Sequence, residues 1–270
     1  VADAEFKISG RAFNYWRLNF EDVSAELRWK AKSLSITNMV ASFYGGKLDW
    51  RGSFDFSVRD GANFEFLGRF TDADFHRLMT DLMLTNSPLE GVLNGKLAIT
   101  SANSDDWGSW NGFGNGTIRD GALWDIPIVG VFSPFLNKVV PGLGSSRASA
   151  ATATFRITDS IIHTSDLAVR SPAVRLRYQG QVDFDGVVDA EMKAEILRDV
   201  WAVGRMVTMA FWPLTKAFEF RVTGTLNDPR SMPHFVPQVL LLPFQPIKTI
   251  KEVLSPAPPP PVLTPLPDHH

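Results

Sequence analysis

Apolar and polar residues alternate with a period of two along most of this chain. The clearest run carries apolar side chains at four alternate positions: Val23, Ala25, Leu27 and Trp29. Because successive side chains of a β-strand point to opposite faces of a sheet, the pattern predicts strands with one apolar and one polar face. Roughly a dozen such strands, each of about 5 to 12 residues, are indicated between residues 2 and 224.

Tight-turn residues separate these strands. Gly45-Gly46, Asp60-Gly61, Asp120-Gly121, Asp159-Ser160 and Asp185-Gly186 each stand between two alternating runs. Such residues tolerate the positive φ of short hairpin turns, so consecutive strands are predicted to pair antiparallel as a meander. A dozen strands about 4.8 Å apart would extend for roughly 55 Å, and a sheet of that length twists, curls or splits into two layers.

Three segments have helical patterns instead. The first begins near Thr71 or Asp72 and carries one apolar stripe: Phe75, Leu78, Met79, Leu82 and Met83. The second is an apolar insert at Ile126 to Val140, where Asp125 is a predicted N-cap and Pro134 is expected to kink or end the helix. The third begins at Asp199 and covers Val200 to Phe211.

These elements predict a mainly β protein with an elongated, strongly curved antiparallel sheet, shaped like a groove, and about three helical inserts. Residues 1–230 are assigned to this sheet, with a polar, tryptophan-bearing loop at Ser101 to Asn111. Residues 231–254 form an apolar, proline-broken segment that caps the sheet or lies near a membrane. Residues 255–270 form a proline-rich tail that is predicted to be extended or disordered.

Composition narrows the function classes. The 270 residues are 44% apolar with a net charge of -2, which excludes a disordered chain and a basic nucleic-acid binder. Phenylalanine (20) and tryptophan (8) far outnumber tyrosine (3), so aromatic surface is mostly apolar. Cysteine is absent, which excludes disulfides and thiolate metal sites. The chain begins at Val1 within a strand-like run, so we expect a longer protein whose signal peptide or membrane anchor precedes it.

Candidate catalytic groups are few. The acidic pairs Asp105-Asp106 and Asp183/Asp185 fall in turns or at polar positions, as expected of solvated surface. His76, His163 and His234 lack metal-ligand spacing. Ser145-Ser146 lacks the strand–nucleophile–helix signature of a hydrolase, and the glycines of Gly112 to Gly116 precede no helix. The sequence therefore predicts no catalytic residue, no metal, no cofactor and no enzyme activity.

Between residues 38 and 225 the chain resembles the C-terminal region of the AsmA-like family of bacterial envelope proteins. No one motif is specific, and the resemblance rests on the order and spacing of several: Tyr44-Gly45-Gly46-Lys47-Leu48, Asp72-Ala73-Asp74-Phe75, Gly114 to Gly121, the insert Ile126 to Val140, Phe155 to Asp159, Leu167 with Gly180, Val182 and Phe184, and Val222 to Leu226 before Asp228-Pro229. The proline-rich C-terminus departs from the family pattern.

The resemblance implies a repeating β-groove that binds phospholipid or another acyl-chain lipid and supports lipid transport between the inner and outer membranes and outer-membrane assembly. It also implies a periplasmic location, an inner-membrane anchor outside this sequence, and contacts with other envelope proteins. The apolar positions predicted to line the groove are Phe54, Phe56, Phe64, Phe66, Phe70, Leu93, Leu97, Ile99, Phe155, Ile157, Leu176, Val182, Phe184, Met192, Phe218 and Phe220.

The same positions also suit an ordinary packed core, and the pattern alone is compatible with both. An open apolar face of several strands would exceed the few hundred Å² that monomers normally expose, so it would need a ligand or a partner. If the face is closed by the chain's own helices, the protein is instead a structural or scaffolding domain of an envelope complex. Val200 to Phe211 and Phe235 to Leu254 would then be buried against the sheet, rather than lying on a membrane or plugging a groove.

Overall fold

The computed structural model describes residues 3–15, 17–83, 89–121, 127–134, 150–172, 174–196, 218–226 and 228–235. Within them, thirteen strands form one sheet in which every strand pairs antiparallel with the next strand of the chain. The strands are β1 Asp3–Tyr15, β2 Leu18–Lys30, β3 Ser33–Phe43, β4 Gly46–Asp55, β5 Asn63–Asp74, β6 Val92–Asn103, β7 Asp106–Arg119, β8 Ala150–Thr158, β9 Ile161–Arg170, β10 Val174–Asp183, β11 Val187–Ile196, β12 Phe218–Thr225 and β13 Pro229–Phe235. The predicted mainly β meander is confirmed, and the sheet is open, with β1 and β13 at its two edges.

The predicted turns have the backbone geometry that their residues favour. Asp120, Asp159 and Ser160 have φ of 55°, 47° and 63°, and Gly186 has φ of 84°. In the β3–β4 turn, positive φ falls on Gly45 and on the residue before it, Tyr44, at 78° and 48°. At Gly45, Asp159-Ser160 and Gly186 these left-handed residues reverse the chain within a few positions. The expected hairpin turn at Asp120-Gly121 is wrong: β7 ends at Arg119 and β8 begins only at Ala150, so Asp120 starts a long connection.

The expectation of a loop at Ser101 to Asn111 is wrong. β6 continues to Asn103 and β7 begins at Asp106, so most of the segment is a hairpin. Polar side chains in this segment accept hydrogen bonds from the backbone amides of the tight turn. Asn103 Oδ1 accepts from the Asp105 amide at 2.9 Å, and Asp106 Oδ1 accepts from the Gly108 amide at 2.9 Å. Residues that are typical of loops therefore support the strand ends here.

Every second connection lies at the same edge of the sheet, because the strands form a meander. The β5–β6 and β7–β8 connections, which contain the described helices, lie at one end of the strands. We name the border of the sheet along these strand ends the helix edge, as distinct from the edge strands β1 and β13. β11 also ends there, β12 begins there, and β13 ends there at Phe235. The opposite edge, named the turn edge, carries the β2–β3, β4–β5, β6–β7, β8–β9, β10–β11 and β12–β13 connections. The sheet thus has one edge with long insertions and one with short connections.

The first predicted helix is confirmed as α1, Phe75–Met83. Asp74 Oδ1 accepts from the Arg77 amide at 3.1 Å, so Asp74 is the N-cap in place of Thr71 or Asp72. For the second insert, a single turn of helix, α2, covers Pro127–Gly130. Asp125, Ile126, residues 135–140, Val200 to Phe211 and residues 236–270 lie outside the described residues. The sheet itself continues past residue 230 through β13.

No helix among the described residues has the length and apolar character needed to span a membrane.

A polar contact joins α1 to the β3–β4 turn. Tyr44 is buried at 6% exposure, and its hydroxyl donates to Asp81 Oδ2 of α1 at 2.8 Å. The Asn19 amide donates to the Tyr44 hydroxyl at 3.3 Å, and Asn19 Nδ2 donates to the same Asp81 oxygen at 2.5 Å. Burial, together with the bond to the Asp81 carboxylate, raises the pKa of Tyr44 to about 12. The phenol is therefore held neutral far above the range in which an unfolded tyrosine ionises.

We expect Tyr44 to make stability fall at alkaline pH. Below about pH 10 the phenol is neutral in both states, so Tyr44→Phe loses only its hydrogen bonds, about 1 kcal/mol of unfolding free energy. Between about pH 10 and 12 the unfolded phenol ionises while the folded one does not. The unfolding free energy of the wild type therefore falls by about 2 kcal/mol over this range, whereas that of the variant does not. Urea unfolding of both proteins at pH 8, 10 and 11 measures this; a difference that stays constant with pH would contradict the assignment.

The apolar face of the sheet contains three clusters. The α1 cluster joins Leu78 of α1 to buried residues of β2 to β5, including Phe20 and Phe43. The α2 cluster extends from β8 to β12 beneath Val129 and Phe132. Between them, the middle cluster is centred on Ile99, Ala102 and Ile157, which are buried by neighbouring strand residues. The described helices therefore contribute to the two flanking clusters, and the middle cluster contains strand residues alone.

Candidate functional site

The strand register places most predicted groove residues on one face. Directly paired residues lie on the same face, and one such line runs from Gly52 through Phe66, Ile99 and Gly112 to Ile157. Other lines join the remaining strands: Phe54 with Phe64, Leu97 with Gly114 and Phe155, Leu176 with Ala194 and Phe218, and Met192 with Phe220. The alternation in the sequence thus becomes a shared apolar face along β4 to β8 and along β10 to β12.

The three clusters divide the predicted residues. Phe70 and Leu93 lie in the α1 cluster; Phe64, Phe66, Leu97, Ile99, Phe155 and Ile157 lie in the middle cluster; Leu176, Val182, Met192, Phe218 and Phe220 lie in the α2 cluster. Phe54, Phe56 and Phe184 lie at the turn edge. In the α2 cluster, Met192 has 0% exposure and Phe132 packs on Phe220 with 5.0 Å between ring centroids. The chain itself covers that part of the face, whereas the middle cluster and the turn edge keep partly exposed side chains.

A row of aromatic rings follows the turn edge from β2 to the β10–β11 turn. Neighbouring ring centroids lie 5.2 to 6.3 Å apart in the order Trp29, Phe56, Phe54, Phe64, Trp110, Phe184, with Trp107 stacked on Trp110 at 5.2 Å. We name these seven residues the aromatic row. Phe56 is 41% exposed and Trp107 is 61% exposed. The row crosses the strands, so it follows the long direction of the sheet.

Sequence reasoning missed the three tryptophans of this row. The sequence pattern predicts a loop around Trp107 and Trp110 and only a strand position for Trp29. The available signal was the turn register: Trp29, Phe56 and Phe184 each lie beside a connection at the same edge of a meander. Rings at such positions come together across strands only when the register is known, and the sequence does not specify register.

Glycines allow aromatic rings to lie flat on the middle of the apolar face. A Cβ on Gly95 would lie 2.7 Å from a ring carbon of Phe70, and one on Gly52 would lie 2.9 Å from the ring of Trp50. Gly114 lies similarly under the ring of Phe155. Gly116 differs, since none of the described residues lies within 4 Å of its Cβ position. Along the run Gly112 to Gly116, the first glycine therefore accommodates the backbone and Ile99 of β6, the second accommodates the Phe155 ring, and the third faces open space among the described residues.

The structure shows where the acidic and histidine candidates lie and which backbone groups they contact. Asp183 Oδ1 accepts from the Val187 amide at 2.8 Å and, like Asp106, supports a hairpin turn. His76 Nδ1 lies 3.1 Å from the Leu89 carbonyl oxygen, which joins α1 to the segment before β6. His163 and His234 lie on the polar face. Within the described parts of the chain, no three histidine or acidic residues are close enough to hold a metal ion.

Comparisons of this chain with protein-family models, with curated proteins and with solved structures find no match. None of them identifies the AsmA-like family, so that resemblance stays a prediction.

Proposed function

We propose that the apolar face binds acyl chains of phospholipid or similar lipid, without covalent chemistry, along the middle cluster and the aromatic row. The supporting observation is the line of partly exposed rings that crosses the strands between the two flanking clusters. Phe56 and Trp107 are too exposed to serve core packing alone. An alkyl chain laid across these rings would remove them, and itself, from water.

The dimensions suit this ligand. From β4 to β9 the sheet advances five strand spacings, or about 24 Å at 4.8 Å each. One leaflet of a bilayer, half of a hydrocarbon core about 30 Å thick, corresponds to an acyl length of about 15 Å. Each buried methylene contributes about 0.8 kcal/mol, so a chain can be held firmly while its head group stays in water at the turn edge. The open space over Gly116 lies on the same face.

The cellular location and the transport role that we propose rest on the family resemblance. We propose a curved groove, periplasmic and anchored to the inner membrane by a part of the protein outside this sequence, that supports lipid transport between inner and outer membranes and outer-membrane assembly. Burial of uncharged methylenes has little directional preference, so a lipid could slide along the face. The ring-to-ring continuity of the aromatic row is the feature of this chain that favours sliding.

Lipid content of the purified protein tests this proposal. We expect native mass spectrometry to show lipid-sized adducts, and organic extraction to recover phospholipid at a ratio that detergent washing and delipidation reduce. The delipidated protein should then bind a pyrene-labelled fatty acid, detected by energy transfer from the tryptophans of the aromatic row. A protein that carries no lipid and leaves the labelled fatty acid free would refute the proposal.

A structural role is the second candidate, and the α2 cluster favours it. Leu176, Met192 and Phe218 are at most 2% exposed, so this third of the face already has its own cover. If the whole face serves as a scaffold, the lipid experiment will be negative and the protein will remain monodisperse without ligand. Non-enzymatic binding of another envelope protein would then be the preferred function.

A further inference from the structure

The polar face of the sheet contains an open hollow of about 1330 Å³. Residues from every strand between β5 and β13 line it, from Leu67 on β5 to His234 on β13. The exposed side chains that line it, such as Phe113, Arg156 and Gln181, have the opposite parity to the three apolar clusters, so the hollow opens on the other side of the strands. Phe155, Met192 and Phe220, which have the parity of the clusters, also border it. Acyl-chain binding makes no use of it.

Five lining residues form a straight line across five strands. The register pairs Phe113 with Arg156, Arg156 with His163, His163 with Gln181, and Gln181 with Asp189. Neighbouring members are therefore one strand spacing apart, about 4.8 Å. This step is close to the length of one hexopyranose residue, so a linear oligosaccharide laid across the strands would present about one sugar to each side chain.

The chemistry of this line also suits a sugar. Phe113 is 53% exposed although charged and amide side chains surround it. An exposed flat ring offers its face to the C–H face of a pyranose, since both surfaces are apolar and planar. The amides of Asn115, Gln179 and Gln181 and the guanidinium of Arg156 carry the donor and acceptor pairs that adjacent sugar hydroxyls require.

The charge distribution favours an acidic sugar. Lys96 and Arg156 are exposed and have no acidic partner among the described residues, and the hollow's lining on β5 to β9 contains no carboxylate. Other cations of the hollow are paired within the sheet: Arg221 with Asp189 at 3.2 Å, and Lys193 with Glu219 at 3.0 Å. Positive charge is thus available at the β6–β8 side, next to Phe113.

Hydrogen bonds fix the β8–β9 backbone beside Arg156. The β8–β9 register shifts between Thr152 and Arg156, and Asp166 fills the interruption. Its carboxylate accepts from the Thr154 amide at 2.8 Å and from the Thr154 hydroxyl at 2.7 Å. Desolvation acts to raise the pKa of Asp166, but these hydrogen bonds outweigh it and the pKa is lowered. Asp166 is therefore occupied within the fold and does not compete for Lys96 or Arg156.

We propose that this hollow binds a linear acidic oligosaccharide, with one sugar stacked on Phe113 and its negative group beside Arg156 and Lys96. The site is independent of the acyl-binding face, so one sheet would hold a lipid on one side and a glycan on the other.

Calorimetric titration with hexagalacturonate tests the proposal, with neutral cellohexaose and a hexaglutamate peptide as comparison ligands. We expect hexagalacturonate to bind most tightly and to weaken with added salt. Arg156→Gln should weaken that binding at least tenfold, and Phe113→Ala should weaken it similarly. Arg51→Gln, an exposed polar-face arginine on β4 outside the hollow, and Phe56→Ala on the apolar face should leave it unchanged. Both hollow variants change exposed side chains, and thermal melting confirms that they fold.

Four results would overturn the proposal. Absence of hexagalacturonate binding by the folded wild type would remove the site. Equal binding of hexaglutamate would show a simple charge patch without sugar recognition. Equal binding of cellohexaose, or full binding by Arg156→Gln, would remove the assignment of an acidic ligand to this hollow.

Discussion

Phe56→Asp and Phe66→Asp should each weaken acyl-chain binding at least tenfold and leave the sheet folded. Phe56 is 41% exposed and stacks on Trp29 at 5.6 Å, so a carboxylate there remains in water in the free protein. When an alkyl chain covers it, that carboxylate must lose its hydration without a partner, which costs several kcal/mol. A loss of 1.4 kcal/mol already corresponds to tenfold weaker binding. Titration with a pyrene-labelled fatty acid measures the loss.

Phe113→Asp is the matched control for this prediction. It makes the same chemical change at a phenylalanine of similar exposure, 53%, on the polar face. Acyl-chain affinity should therefore stay at the wild-type value in Phe113→Asp and fall in Phe56→Asp. Phe66 lies beside buried Ile99, so its variant also reports on packing. If Phe56→Asp binds acyl chains normally, the aromatic row is not the lipid site; if both groove variants unfold, their side chains belong to the core.

Gly114→Ala should destabilise the protein strongly, whereas Gly116→Ala should not. The two glycines lie two positions apart on β7 and face the same side. A Cβ on Gly114 would overlap the Phe155 ring and lie 2.5 Å from the Lys96 carbonyl oxygen. Overpacking of this kind costs about 1 to 3 kcal/mol. At Gly116 none of the described residues lies within 4 Å, so alanine should be neutral or stabilise the strand by about 0.5 to 1 kcal/mol.

Urea unfolding of the two variants at neutral pH measures the difference, which we expect to be about 1 to 4 kcal/mol. The wild type is the common reference, and the slope with denaturant should be equal in all three proteins. Equal stability of the two variants would mean that Phe155 does not lie over Gly114. The same measurement also tests whether Gly116 faces open space on the apolar face.

Much of the fold could be predicted because a sheet encodes its faces locally. The alternation at Val23 to Trp29 predicts the buried side of β2, and Asp159 and Gly186 predict their turns through the φ they tolerate. The apolar stripe from Phe75 to Met83 likewise predicts α1. Each of these signals lies within one element, so no distant residue is needed to interpret it.

The errors arose where local composition and tertiary contacts disagree. Ser101 to Asn111 contains loop-forming residues, but Phe64 and Phe184 pack on Trp110, and a hairpin results. The N-cap of α1 is Asp74, because β5 continues to that residue by pairing with Val92. In both cases, pairing with a neighbouring strand outweighs the preference of the segment itself.

The sequence by itself determined that this protein is an antiparallel meander with one apolar and one polar face, because side-chain alternation and turn residues act within a few positions of each other. Only the tertiary structure decided which apolar residues are closed by the chain and which stay open. Leu176 and Phe218 look like Phe56 and Phe66 in the sequence, yet the first pair is buried in the cluster that contains Phe132, and the second pair lies along partly exposed rings. The segments that cover apolar side chains of the sheet are distant from them in the chain. Burial therefore depends on strand register and on where each connection places its helix.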